Sequence, residues 1–243
     1  MKLPSYSPDS GSWQQLPAVC QEFFTKLKRN NNRAWFQRHK DEFEIRILEP
    51  ARELVFIMGD QLAALRPGLT FDPRVNQSIF RIYRDTRFSS DKTPYKTHLG
   101  IFFWEGASAK MESSGFYLEF GPGSWMAATG IYGFSPQALD TYRRRITDPV
   151  PRARLLEILD ALRLKGYTIG GVGYKRLPRG FEAATPESAP LLLHSGFWAE
   201  ISGANLAELA ERDWFTEMLT HFTQMTDLQG WLVDQIIKPG STR

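Results

Sequence analysis

Residues 115–132 read GFYLEFGPGSWMAATGIY, two apolar and aromatic runs joined by a turn sequence. Gly115 to Phe120 has the residue types that pack on a pleated surface. Gly121-Pro122-Gly123 combines a fixed φ with residues free of a Cβ, which suits a tight reversal. Trp125 to Tyr132 then returns as the antiparallel neighbour. Just upstream, Thr97 to Trp104 (THLGIFFW) is a further strand, and Ser78 to Tyr83 has β-forming character. These segments predict an antiparallel sheet of about four or five strands.

Helical patterns flank the sheet on both sides. Val19, Phe23, Phe24 and Leu27 recur at helical spacing over 18–29. The Asn30-Asn31-Asn32 triplet suits a helix end followed by a new start. A second helix is expected over 33–65, kinked or broken at Pro50. Ser135-Pro136 and Asp148-Pro149 each pair an N-cap residue with an N1 proline, opening helices to about Thr147 and Leu164. Gly166 to Gly180 is glycine-rich and irregular, with room for one strand. Thr185-Pro186 is expected to cap a helix through Leu193, and 205–221 and 228–237 complete the helical end. Helices, then strands, then helices indicate an α+β fold, not alternating βαβ units. Residues 1–17, rich in Ser and Pro, are expected to form a flexible arm before a single α+β domain over 18–243.

Composition bounds function only loosely. Of 243 residues, 42% are hydrophobic and 23% charged, which is ordinary for a globular chain, and the formal charge of +3 is too mild to indicate a nucleic-acid binder. Cys20 is the single cysteine, so no intrachain disulfide forms. The four histidines are far apart and show no zinc spacing. No metal and no cofactor are expected. The opening MKLPSYSPDSGSW has no apolar run, and no stretch of eighteen apolar residues occurs, so neither a secretory signal nor a membrane span is expected. A reducing, cytoplasmic setting follows as the expectation; the oligomeric state is not indicated.

Charge is distributed unevenly. Residues 81–96 hold five basic side chains (Arg81, Arg84, Arg87, Lys92, Lys96) and two acidic ones (Asp85, Asp91), whereas 200–234 hold seven acidic side chains and one arginine. The run Arg81-x-x-Arg84-Asp85-x-Arg87-Phe88-x-x-Asp91-Lys92-x-x-Tyr95 resembles the signature of the DUF2461 family, bacterial proteins of about this length that also occur as a domain in fungal proteins. Asn31-Asn32 with Trp35-Phe36 is similar to that family's early element, residues 115–130 to its strand pair, and Lys175 to Gly180 (KRLPRG) to a later one. The likeness runs from about 19 to 225. It carries over signature positions and no catalytic residue.

The residues themselves allow several readings. If 78–87 is extended, Arg81, Tyr83, Asp85 and Arg87 share a face, and Asp85 positions the arginines. Guanidinium groups present a planar fork to carboxylate or phosphate. Phe88 would anchor the loop, and Lys92, Tyr95 and Lys96 would fold back to complete an anion pocket. Arg176 and Arg179 would supply a second wall. The competing reading is a buried network of Arg84, Asp85, Arg87 and Asp91 that pins the loop without a ligand. Arginines beside Asp85 and Asp91 would depress both carboxyl pKa values, which opposes a general-acid role and disfavours a dication.

Other motifs are weaker. Gly170-Gly171-Val172-Gly173 lacks the Gly-Lys-Ser/Thr of a phosphate loop and reads as a flexible turn. Arg143 to Arg145 suit a solvated helix end. Trp35 and Phe36 fit core packing better than base stacking, and Cys20 reads as buried and inert. The favoured function is binding of an anionic, phosphate-bearing small molecule at Arg81, Arg84, Asp85, Arg87, Asp91, Lys92, Tyr95, Lys96, Arg176 and Arg179. The alternatives are an enzyme acting on a phosphorylated or carboxylated substrate, with His98, Asp85 or Tyr95 as proton carrier, and a structural network in a nucleic-acid- or protein-interaction domain. A nucleic-acid partner is possible but not favoured.

Overall fold

The computed structural model describes residues 11–106, 110–181 and 185–238. The hairpin expected over residues 115–132 is present, with its reversal at Pro122-Gly123. Strand β3 (Ser114–Gly121) pairs antiparallel with β4 (Ser124–Ile131), and Gly121 faces Ser124 across a two-residue turn. Gly123 has φ 82, so Pro122-Gly123 meets the requirement of a type II turn, in which the third residue takes positive φ.

Strand β2 (Leu99–Glu105) pairs with β3 on one side and with the two-residue β1 (Leu69–Thr70) on the other. Beyond β4 lie β6 (His194–Gly203) and, at the far edge, β5 (Thr168–Val172), giving the order β1-β2-β3-β4-β6-β5. All pairings are antiparallel, and the sheet has six strands where four or five were expected. Two strands were not expected, the two-residue β1 and β6, the latter in a segment that the sequence reading left between two helices, while Ser78 to Tyr83 forms no named strand. Ser78 to Phe80 also docks on β2: the Phe80 amide donates to Gly100 O at 3.0 Å, and the Phe102 amide to Ser78 O at 2.9 Å.

One face of the sheet is covered. Phe103, Phe116, Leu118, Phe120, Ala127, Phe197 and Ala199 point into a core with helices from both ends of the chain. From the N-terminal end come α1 (Leu16–Arg29) and α4 (Glu49–Leu65); from the C-terminal end come α8 (Leu206–Ala210), α9 (Trp214–Gln224) and α10 (Thr226–Leu232). Phe116 meets Phe222 of α9 at 5.3 Å between ring centroids, and Phe120 meets Trp214 at 5.3 Å. The opposite face stays largely uncovered.

Between α1 and α4 the chain forms two short helices, α2 (Arg33–Arg38) and α3 (Lys40–Phe43), then a π-turn over Glu44–Leu48. The expected single helix over 33–65 is therefore broken at His39. Pro50 does not break it. Proline lacks the N–H that an α-helix needs, and the preceding turn is wound wider, with the Glu49 amide donating to Glu44 O five residues back. After β4, α5 (Pro136–Thr147) and α6 (Pro149–Leu164) start where expected: Ser135 Oγ accepts from the Ala138 amide, and Asp148 Oδ1 from the Val150 amide. The helix expected from Thr185 shrinks to α7 (Ser188–Leu191), and 205–221 splits into α8 and α9.

The flexible arm expected over 1–17 does not extend through its last residues. Ser12–Gln15 form a 3-10 turn, Leu16 is buried, and Trp214 Nε1 donates to Gln14 O at 2.8 Å. Residues 1–10 lie outside the described residues. Among those described, no helix is long and apolar enough to cross a membrane.

Candidate functional site

The signature loop is built on a two-stranded scrap of ladder. Tyr83 and Tyr95 face each other in an antiparallel bridge, the Arg84 amide donates to Pro94 O at 2.9 Å, and the Lys96 amide donates to Ile82 O at 2.7 Å. Asn31 closes this ladder from the side. Its Nδ2 donates to Tyr95 O at 2.9 Å and its Oδ1 accepts from the Tyr95 amide at 3.1 Å, so a side-chain amide does the work of another strand. Asn32 caps α2, accepting from the Trp35 amide at 2.9 Å. Phe36 of α2 then stacks on the buried Tyr95 ring at 4.3 Å. The asparagine–aromatic element and the charged signature, separated by some sixty residues (Asn31 to Tyr95 is 64), are therefore one structural unit.

Beyond the Arg84 amide the ladder ends, the chain bends at Arg87 and Phe88, and the charges sort into two local pairs. Asp85 receives Arg87: Nη2 lies 2.6 Å from Oδ2, Nε 3.0 Å from Oδ1, and the Arg87 amide also donates to Oδ1. The Arg87 guanidinium holds the Asp85 carboxyl at about 2, well below the ordinary carboxylate range. Asp91 is also held at about 2, first by the Thr93 amide (2.9 Å) and then by Arg84. Arg84 Nη1 donates to Asp91 Oδ2 and to Thr93 Oγ1. Lys92 Nζ donates to Thr86 O at 2.8 Å.

These pairs sit on the surface. The Arg87 side chain is 77% exposed and that of Asp91 56%. Exposed pairs of this kind contribute little to folding stability. The network exists, then, but it is not buried. Phe88, expected to anchor the loop, is 96% exposed. The loop turns outward after Arg84, and the Phe88 ring is met by the Arg87 guanidinium, whose carbon lies 5.8 Å from the ring centre.

Between the loop and α2 lies a cleft of about 440 Å³, walled by Arg33 and Gln37 on one side and by Arg84, Thr86, Lys92 and Tyr95 on the other. Among the described residues three cations and no carboxylate line it. Arg33 has no ion pair among the described residues. The sequence reading missed Arg33 and Gln37. The available signal was position: Arg33 sits inside the asparagine–aromatic element, next to the residue that caps α2.

The other expected site residues separate. Arg81 is exposed, with no ion pair among the described residues. Lys96 turns away toward the uncovered sheet face, where its ammonium lies 5.1 Å from the Phe80 ring centre and burial lowers its pKa. Arg176 and Arg179 follow β5, four strand steps from β2, and do not form a second wall to the cleft. Arg143 lies over Tyr174 at 5.1 Å and Phe181 at 5.8 Å, and Arg144 pairs with Asp140 at 2.9 Å.

His98 approaches Glu119 at 3.7 Å, outside the cleft, and burial lowers its pKa. Cys20 is buried, which pushes its thiol pKa up. Gly170 and Gly171 belong to β5, not to a phosphate loop. A Cβ on Gly170 would lie 2.3 Å from the Trp198 indole, and Gly171 has φ +107 beside a register shift. Among the described residues no group of three His, Cys, Asp or Glu side chains is placed to hold a metal ion.

A family model described as "Conserved hypothetical protein (DUF2461)" matches residues 20–231. The match covers most of the chain, so the chain belongs to the DUF2461 family. No curated protein and no solved structure matches it.

Proposed function

We propose that this DUF2461 chain binds a phosphate-bearing small molecule in the cleft between α2 and the signature loop. One observation carries the reading: Arg33, Arg84 and Lys92 converge on a hollow of about 440 Å³ whose lining, among the described residues, contains no carboxylate. Arg84 spends one nitrogen on Asp91 and Thr93, which leaves the rest of its fork for a ligand. Thr86 and Tyr83 add hydroxyl groups at the rim. A di- or trianionic phosphate would meet Arg33, the remaining donors of Arg84 and those of Lys92, and arginine and lysine suit phosphate as fork and point charge.

Binding is favoured over catalysis because the lining offers no histidine and no carboxylate to move a proton. Burial raises the pKa of Tyr95, so its proton stays put near neutrality.

Calorimetric and thermal-shift titrations of the full chain with inorganic phosphate, pyrophosphate and a hexose phosphate test the reading. Binding should raise the melting temperature and weaken as salt increases. Arg33→Ala and Lys92→Ala should each weaken binding by about tenfold, the equivalent of one charge-assisted hydrogen bond. Arg87→Ala should leave it unchanged, because Arg87 is committed to Asp85 and lies outside the cleft. If no phosphate compound shifts the melting point at millimolar concentration, or Arg33→Ala binds normally, the proposal fails.

A further inference from the structure

The uncovered face of the sheet carries a second hollow, of about 400 Å³, distinct from the anion cleft and floored largely by the strand pair of residues 115–130. That volume is in the range of small-molecule sites. Its floor follows from strand register. Gly115 faces Gly130, and Gly130 faces Trp198; Tyr117 faces Ala128, and Ala128 faces Glu200. Directly paired residues share a sheet face. Small residues thus occupy the middle of the sheet while larger ones rise on both sides.

The glycines cannot be enlarged. A Cβ on Gly115 would lie 2.1 Å from Phe103 O and 2.7 Å from the Phe102 ring, and one on Gly130 would lie 2.1 Å from Phe197 O. Phe102 and Tyr117 form one wall. Trp198, stacked on Tyr132 at 5.7 Å and 26°, forms the other.

Two carboxylates enter this aromatic trough, and both are oriented in the same way. Tyr117 Oη donates to Glu119 Oε2 at 2.6 Å; Trp198 Nε1 donates to Glu200 Oε2 at 2.7 Å. Each donor stands two residues before its acceptor, on the same face of the same strand. Among the described residues neither Oε1 receives a hydrogen bond. Each carboxylate is thus held by one oxygen and offers the other.

Charge narrows the ligand. Among the described residues of the lining Lys96 is the one cation, so two carboxylates and one ammonium leave little attraction for an anion. A cationic ligand is disfavoured at the Phe80 end, since the ammonium groups of Lys96 and Lys110 already lie 5.1 Å and 4.2 Å from that ring. A neutral molecule with an apolar ring face and hydroxyl donors meets every feature. Its ring face lies against indole and phenol, its hydroxyls donate to the two free carboxylate oxygens, and Lys96 donates to a ring or hydroxyl oxygen. We propose that this trough is a binding site for a pyranose ring of a saccharide, stacked beside Trp198 and hydrogen-bonded by Glu119 and Glu200.

The test uses the intact protein with methyl pyranosides of glucose, galactose, mannose and N-acetylglucosamine. Binding is read by saturation-transfer NMR and by tryptophan fluorescence. At least one glycoside should bind at millimolar concentration, and Glu200→Gln should weaken it by about tenfold. Ala128→Leu fills the floor while leaving both carboxylates in the sequence, and it should abolish binding while circular dichroism and melting temperature confirm a folded sheet. The proposal is overturned if no pyranoside binds, if folded Ala128→Leu binds like the parent, or if tetramethylammonium or adenosine binds where the glycosides do not.

Discussion

Asp85 and Asp91 illustrate what single residues in the signature do. Each carboxylate is held at about 2 by groups within two to seven residues, not by burial. The two differ in cause: Arg87 dominates at Asp85, and the Thr93 amide at Asp91. Carboxyl ¹³C titration separates them. In the parent both should titrate near pH 2. In Arg87→Ala, Asp85 should rise toward the ordinary value of about 3.9 while Asp91 stays where it is. A common shift of both would mean that the loop is one coupled network. Because both pKa values are depressed, each carboxylate favours the ordered loop above the unfolded pKa and loses that contribution as pH falls through about 4 to 2. The depressed carboxylates were legible in the sequence, since an arginine two residues from an aspartate can close a pair without help from the fold. Arg33 was not, because its approach to Lys92 depends on Asn31 gripping Tyr95, a contact between residues 64 positions apart.

Among the elements, β6 is the instructive omission. HSGFWAEISG has the period-two order of a strand: Phe197 and Ala199 face the helices, while Trp198 and Glu200 face outward. Its glycines, alanine and serines are poor strand formers, which hid that order. They are there because neighbours come close. A Cβ on Gly196 would lie 2.2 Å from Tyr132 O, and one on Gly203 would lie 2.3 Å from the Trp125 indole. By contrast β2, β3 and β4 declared themselves through aromatic and branched residues packed on the core face. Gly130 tests the cost of that intimacy. It has φ +150, and an added Cβ would meet the Phe197 carbonyl and the Trp198 Cα at 2.5 Å, so Gly130→Ala must push β4 from β6. We expect a loss of more than about 2 kcal/mol in urea unfolding. Gly133→Ala is the control, because nothing lies within 4 Å of a Cβ there and its φ is not positive. Equal behaviour of the two variants would show that the β4–β6 contact yields freely.

At the scale of the whole molecule, stability should depend on pH through three histidines held within the packed structure. Burial lowers the pKa of His98, His194 and His221 in the folded state, and in each case it is the leading cause. Opposing influences do not reverse it: Glu119 beside His98, the Leu191 and Pro190 carbonyls at His194, and Glu217 near His221 all favour the charged form and are outweighed. The unfolded chain therefore binds protons that the folded chain refuses, beginning near the ordinary histidine pKa of about 6.5. Their contribution to stability is complete above that pH and is lost as pH drops through the lower folded values. Since His221 meets the Tyr167 hydroxyl at 2.8 Å and His98 leans on Glu119, protonation disturbs both the C-terminal helices and the sheet. The urea midpoint should fall steadily from pH 7 to pH 5, well above the range where Asp85 and Asp91 act. His98→Gln should flatten part of that slope, because an amide can still meet Glu119 without titrating. A midpoint that stays level between pH 7 and pH 5 would mean that these imidazoles take up protons without opening the fold, and that burial does not control their charge.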